Sequence, residues 1–259
     1  LKTLELYSDQ NGFNNAAALL ADTNSFKGID IIRFGNSINE IMERKSLENI
    51  SILLQMEQCI QMFHQYYRYE KIEGMDRKSV DKIPERDFRE AVANALVHRM
   101  WDIPASIKIS MYSDKIEISS PGGLPAGISE DEYLNGQISL LRNPIIGNVF
   151  FRLKYIEKFG TGIMRINYAY KDALIKPDYH IFSNSIQIIL PVIKSDYKLN
   201  ETEKKLLNIL KINGSMTRNE IEKAAEIDKS KAIRGLNRLI EKKMIQKRDL
   251  GRGTKYEIV

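Results

Sequence analysis

Asp228-Lys-Ser-Lys-Ala-Ile-Arg-Gly-Leu-Asn-Arg-Leu-Ile240 decides the fold of the C-terminal part of this chain. Asp228 is a residue that caps helix N-termini, and Ala232, Ile233, Leu236, Leu239 and Ile240 recur at the spacing of one helix face. The opposite face offers Lys229, Ser230, Lys231, Arg234, Asn237 and Arg238. Two further helices are expected before it. Asn200 with Glu203 forms a capping-box pair ahead of Leu206, Leu207 and Leu210, and Gly214 stops that helix. Thr217 with Glu220 repeats the signal for a helix carrying Ile221 and Ala224. Beyond the third helix, Met244-Ile-Gln-Lys-Arg248 and Thr254-Lys-Tyr-Glu-Ile-Val259 flank Asp249-Leu-Gly-Arg-Gly253. Two alternating strands around a glycine-bearing loop read as a hairpin wing.

Charge supports a role for the exposed face. From Ser195 to Val259 there are 16 Lys+Arg against 10 Asp+Glu, and from Lys229 to Lys255 the ratio is 10 to 2. The other 194 residues carry 23 against 24, so the basic excess is confined to this segment. Such a concentration is the electrostatic footprint of phosphate binding. Residues 195–259 resemble the winged-helix family of transcriptional regulators. The resemblance implies double-stranded DNA as partner, with Lys229, Ser230, Lys231, Arg234, Asn237, Arg238, Lys247, Arg248 and Arg252 as its contacts. Arg and Asn bond base edges, while Lys and Ser hold phosphates. A homodimer reading two half-sites is the default.

Upstream, the polar Lys194-Ser-Asp-Tyr-Lys198 reads as a linker. Residues 1–80 form a mixed segment: a helical Asn14–Leu20, a strand-like Gly28–Phe34, and a long helix from about Leu47 to Tyr69. That long helix carries Ile50, Leu53, Leu54, Met56, Ile60 and Phe63 at near-helical spacing. Residues 81–194 read as helix, hairpin, Gly-Pro loop, helix, glycine turn, helix and two strands. In the helix from Glu85 to Arg99 the buried face is Phe88, Ala91, Val92, Ala95 and Leu96. Glu90, Asn94 and His98 form a polar stripe beside it. A carboxylate and an amide one turn apart can polarise a water and offer oxygen to Mg²⁺; a merely solvated stripe has the same spacing.

Four motifs follow one another: Glu90-x-x-x-Asn94, Ser120-Pro-Gly-Gly-Leu-Pro125, Arg142-Asn-Pro144 and Glu157-Lys-Phe-Gly-Thr-Gly162. This ordered set resembles the GHKL-like ATPase domain of bacterial RecG-related or Alba-domain (Schlafen-type) transcriptional regulators, which commonly end in a winged helix. The resemblance covers residues 1–194 and is strongest from Glu85 to Val192. It implies an α+β fold, with a helix-covered mixed sheet followed by a small winged helix-turn-helix. It also implies ATP and Mg²⁺ as cofactors, Glu90 as general base and Asn94 as the Mg²⁺ ligand. Ser120, Gly122, Gly123, Gly160, Thr161 and Gly162 would border the nucleotide. The family reads adenine with an Asp where this chain has Ser119 or Ser120, replacing a charged acceptor by a weaker neutral one. Arg142 is a candidate phosphate contact or a cap of the following helix start.

Other classes are excluded or unsupported. No Gly-x-x-x-x-Gly-Lys-[Ser/Thr] occurs, so a P-loop motor is absent. Cys59 is the only cysteine, and three scattered histidines make no metal-ligand spacing. No apolar run is long enough to span a bilayer. The chain opens on Leu1 without a signal peptide, which reads as a fragment lacking the family's Alba-like domain, from a cytoplasmic protein. The leading expectation is a DNA-binding transcriptional regulator whose GHKL-like domain senses a nucleotide or serves as a dimer platform. The alternative is an ATP-hydrolysing DNA-remodelling enzyme.

Overall fold

Alternation of apolar residues builds the central sheet. In a computed structural model, residues 1–136, 140–156, 161–171, 173, 175–193, 199–242, 244–249 and 254–258 are described. Residues 1–193 form one compact unit and 194–259 a second. The first begins with a short turn (Lys2–Leu4), β1 (Tyr7–Ser8), β2 (Gly12–Phe13) and α1 (Asn15–Leu20), the last capped by Asn14 accepting from the Ala17 N–H. There follow β3 (Ile29–Phe34), β4 (Ile41–Leu47), α2 (Ile52–Tyr67), β5 (Arg68–Glu73), β6 (Asp76–Asp81) and α3 (Glu85–His98). The unit continues with β7 (Ile107–Met111), β8 (Lys115–Pro121), α4 (Glu130–Leu134), α5 (Pro144–Arg152), α6 (Gly162–Ala169), β9 (Asp178–Phe182) and β10 (Ser185–Pro191).

Six strands pair in the order β4-β3-β7-β8-β10-β9. Only the β3–β7 pair is parallel. Strands from the stretches 1–80 and 81–194 therefore share one sheet. Ile29, Ile31, Ile107, Ile109, Ile116, Ile118, Ile188 and Leu190 are buried, while the residues between them are half-buried or exposed. This period-two pattern covers one face with helices and leaves the other wet. Against the covered face lies α3, whose Phe88, Ala91, Val92, Ala95 and Leu96 are buried as the periodicity requires. Ala93 and Val97 are buried too, because other helices close over α3. Fully burying Phe88, Val92, Leu96 or Val97 contributes roughly 1.5–3 kcal/mol of transfer free energy each.

Two expectations need correction. The long helix begins at Ile52, capped by Ser51, and ends at Tyr67, since Leu47 closes β4 and Arg68 opens β5. Its buried face runs through Ile52, Met56, Cys59 and Phe63, whereas Leu54 is exposed and Ile60 half-buried. Phe63 stacks on Phe88 with ring centroids 4.7 Å apart, so the aromatic end of this helix is packing. The β5–β6 hairpin was unexpected: Arg-Tyr-Glu-Lys-Ile-Glu alternates without an apolar face to reveal it.

The second unit comprises α7 (Glu201–Asn213), β11 (Met216–Thr217), α8 (Arg218–Ala225), α9 (Lys229–Glu241), β12 (Ile245–Asp249) and β13 (Thr254–Ile258). Its strands pair in the order β11-β13-β12. Both expected capping boxes are formed, at Asn200/Glu203 and Thr217/Glu220. Each N-cap contributes on the order of 1 kcal/mol. On α8 the buried alanine is Ala225, one turn beyond Ile221, and Ala224 is exposed. Gly235 lets α9 approach α7 closely, as a Cβ there would lie 2.5 Å from the Leu206 Cδ1. The linker 194–198 and the wing loop 250–253 lie outside the described residues. The chain is thus α+β, a helix-covered mixed sheet followed by a small winged helix. No helix among the described residues is long and apolar enough to cross a membrane.

Candidate functional site

Glu90, Asn94 and His98 stand one turn apart on α3, all half-buried. Asn94 Nδ2 donates to Glu90 Oε1 at 3.5 Å, a long and weak bond. Gly162, the first residue of α6, is buried against this pair. A Cβ at Gly162 would collide with Glu90 Oε1 and lie 3.1 Å from Asn94 Nδ2. The fold therefore brings together Glu90, Asn94 and Gly162, although 72 residues separate the first from the last. Thr161 occupies the N-cap position of α6 without a side-chain cap bond. Its hydroxyl is buried and has no partner among the described residues. Gly160 lies outside the described residues, as do Glu157 and Lys158.

On the opposite side, the end of β8 approaches α3. Ser120 Oγ donates to the Ala95 carbonyl at 2.9 Å, which fixes the hydroxyl and leaves its oxygen as a neutral acceptor. Gly122 has φ +106°, and its N–H donates to the Asn184 carbonyl at 2.8 Å. At Gly123 a Cβ would collide with the carbonyl of Ser183 in the β9–β10 turn. Both glycines thus serve close backbone packing. Arg142 Nη1 donates to the His98 carbonyl at 2.6 Å and Nη2 to the Gly123 carbonyl at 2.7 Å. Asn143 Nδ2 donates to the carbonyls of Val97 (2.7 Å) and Arg99 (2.8 Å). Together they satisfy carbonyls at the α3 C-terminus that have no intrahelical partner. Arg142 is used as a clamp on backbone rather than reaching toward Gly162.

Between α3, β8, β10 and α4 lies a cavity of about 20 Å³. That is room for about one water. Asn94, His98, Ser120, Gly122 and Tyr133 line it. A nucleotide does not fit these residues as they stand. His98 and Tyr133 were not singled out from the sequence as site residues. His98 continues the Glu90/Asn94 stripe by one turn, a signal that was available; Tyr133 sits on a separate short helix and gave none. Burial pushes the His98 imidazole down to about 4, with the Arg142 charge acting in the same sense, so the ring is neutral at pH 7. Burial likewise raises the Tyr133 phenol to about 12. Among the described residues no cluster of three or more His, Cys, Asp or Glu could hold a metal. Any Mg²⁺ would have to rely on Glu90, Asn94 and ligand oxygens.

In the second unit α9 buries Ala232, Gly235, Leu236 and Leu239. Lys229, Ser230, Lys231, Arg234, Asn237 and Arg238 are all exposed, as are Lys247 and Arg248 on β12; Arg252 lies outside the described residues. Asp228 caps α9, its carboxylate held below the usual range mainly by the Lys231 N–H. Arg238 lies 3.9 Å from Oε1 of the buried Glu203, and Lys242 lies 2.8 Å from its Oε2. Arg248 approaches Glu257 on the paired strand at 3.5 Å.

Fold and site define a protein in two parts, an ATPase-type sheet domain joined to a winged helix. Residues 105–190 match the family described as "Putative ATP-dependent DNA helicase recG C-terminal", and residues 193–259 match "Sugar-specific transcriptional regulator TrmB". The chain therefore carries a RecG-C-terminal-like domain followed by a TrmB-type winged-helix domain. Ser120, Gly122, Gly123, Thr161 and Gly162 fall within the first match, whereas Glu90 and Asn94 precede it. The crystal structure of the DIP2311 protein from Corynebacterium diphtheriae shares the fold, with a TM-score of 0.64 at 18% identity. The likeness covers 99% of this chain and 56% of that one, so this chain spans little more than half its length. No curated protein matches.

Proposed function

We propose that this chain is a DNA-binding transcriptional regulator. The observation that carries this reading is α9, with one face buried in the winged-helix core and Lys229, Ser230, Lys231, Arg234, Asn237 and Arg238 exposed on the other. In this reading α9 enters the major groove of double-stranded DNA. Arg234, Asn237 and Arg238 address base edges, and Lys229, Ser230, Lys231, Lys247, Arg248 and Arg252 hold phosphates. A homodimer would present two such helices to two half-sites. Replacing Lys229 and Lys231 together by Ala should reduce the slope of log affinity against log salt by about 0.9 for each phosphate no longer neutralised. Replacing Arg234 and Arg238 together by Ala should weaken binding and relax its sequence preference. Unchanged mobility shifts in that second double variant would sink the assignment.

The body of the protein is, in the finer reading, a nucleotide sensor rather than a catalyst. Sensing would require Tyr133 to leave the cavity, since its present volume has room for only about one water. The alternative, an ATP-hydrolysing DNA-remodelling enzyme, draws support from one observation, the seating of Gly162 against Glu90 and Asn94. Calorimetric titration with ATP, with and without Mg²⁺, separates the two when paired with an ATPase assay. Binding without turnover supports the sensor. Turnover that disappears in Glu90→Ala favours the enzyme.

A further inference from the structure

A second and much larger pocket, of about 360 Å³, opens between α1 and the N-terminus of α5. Its size is that of small-molecule sites. Leu19, Phe26, Trp101 and Ile146 supply an apolar wall. That wall is held in place: Phe26 meets Trp101 edge-on at 6.0 Å, and the buried Arg99 guanidinium covers the indole at 4.3 Å. The Trp101 Nε1–H is buried without a partner among the described residues.

The polar end of the pocket is electropositive for two separate reasons. Asn143 stands at the N-cap of α5 but turns its amide toward the Val97 and Arg99 carbonyls, so the first turn of α5 has no side-chain cap. Ile145 and Ile146 of that turn line the pocket. Arg142 lines it as well, and not the small cavity beside α3. Its guanidinium binds two backbone carbonyls but, among the described residues, no carboxylate within ion-pair distance; Asp102 acts on it only from farther away. A part-buried cation with no carboxylate in ion-pair distance, next to an uncapped helix start, favours an anion. The exposed Asp102 at the mouth disfavours polyanions such as nucleotides.

We infer that this pocket binds a small organic monocarboxylate, its apolar body against Phe26 and Trp101 and its carboxylate at Arg142 and the first turn of α5. Arg142 gives such a ligand a route to the small cavity. The same guanidinium that would meet the carboxylate holds the carbonyls of His98 and Gly123, and a Cβ on Gly122 would lie 2.6 Å from its Nη1. Drawing Arg142 toward a ligand therefore pulls on the residues lining that cavity. The pocket is an effector site in a regulator, and it can fill whether or not the small cavity admits a nucleotide.

Trp101 is the only tryptophan and lines this pocket, so tryptophan fluorescence is a direct probe of it. The full chain is titrated with phenylacetate and hexanoate as probes, with phenylacetamide as the neutral counterpart of the first. Saturable change with at least one carboxylate below about 1 mM is expected, with phenylacetamide at least about tenfold weaker. Ala16→Phe, which fills the pocket from α1, should abolish the change while circular dichroism stays native. Arg142→Gln should weaken phenylacetate and leave phenylacetamide unaltered. Absence of saturation with both carboxylates, equal binding of acid and amide, or full binding by folded Ala16→Phe would each overturn the proposal.

Discussion

The α-carbon of Gly162 sits so close to the carboxylate of Glu90 that a methyl group on it would collide with Oε1. Glu90 is a flexible side chain, so Gly162→Ala is expected to displace the carboxylate rather than unfold α6. Alanine is also the better helix former. The single variant should change stability by less than about 1 kcal/mol. Together with Glu90→Ala it should show a coupling of at least about 0.5 kcal/mol in urea unfolding. Simple additivity would mean the two residues do not touch.

At Gly123 the obstacle is different. The carbonyl of Ser183 is backbone, fixed by the β9–β10 hairpin, and cannot swing aside. Gly123→Ala should therefore cost about 1–3 kcal/mol, clearly more than Gly162→Ala. Equal unfolding midpoints for the two variants would contradict this ordering.

Two groups on α3 give stability opposite pH dependences. Burial depresses His98 to about 4, so the unfolded chain takes up this proton first and His98 makes stability rise with pH from about 4 to about 6.5. Asp87 is 2% exposed, and burial raises its carboxyl to about 7. The folded chain keeps that proton longer, so Asp87 makes stability fall as pH rises from about 4 to about 7. The slopes oppose each other, each limited to about 1.36 kcal/mol per pH unit. His98→Gln should leave stability falling with pH across this window, and Asp87→Asn should leave it rising. Urea midpoints at stepped pH would distinguish them; identical pH profiles in both variants would refute the assignment.

Glu257 draws on the charge of Arg248 across the β12–β13 pair and accepts from Gln246 at 2.9 Å. Under the DNA-binding reading, Glu257→Gln should tighten binding severalfold at low salt, and Arg248→Ala should loosen it. Both effects should fade as salt rises. Weaker binding by Glu257→Gln would show that this carboxylate positions the strand instead.

The winged helix was legible because its signals are local. Caps at Asn200, Thr217 and Asp228 and a period of 3.6 along α9 fix the elements within a few residues of sequence. The choice between Ala224 and Ala225 went astray, since alanine hardly marks a face, and β11 was missed because two residues show no period. In the first unit the pattern of α3 was equally readable, yet what lies opposite Glu90 was not. That depends on Gly162 folding back from another helix and on Tyr133 arriving on α4. The hairpin at Arg68–Asp81 escaped for the reverse reason: both of its faces are largely polar, so no burial pattern records it. The pocket at Trp101 joins three distant segments and leaves no motif at all.

The parallel pairing of β3 with β7 has a practical consequence for anyone dissecting the protein. A fragment trimmed to the matched residues 105–190 keeps β7, β8, β9 and β10 but discards β3 and α3. It would present β7 as a bare edge of unpaired N–H and C=O groups beside a sheet face stripped of its cover, an invitation to intermolecular strand addition. Such a fragment should aggregate on expression, whereas residues 1–193 keep both the edge and the face protected.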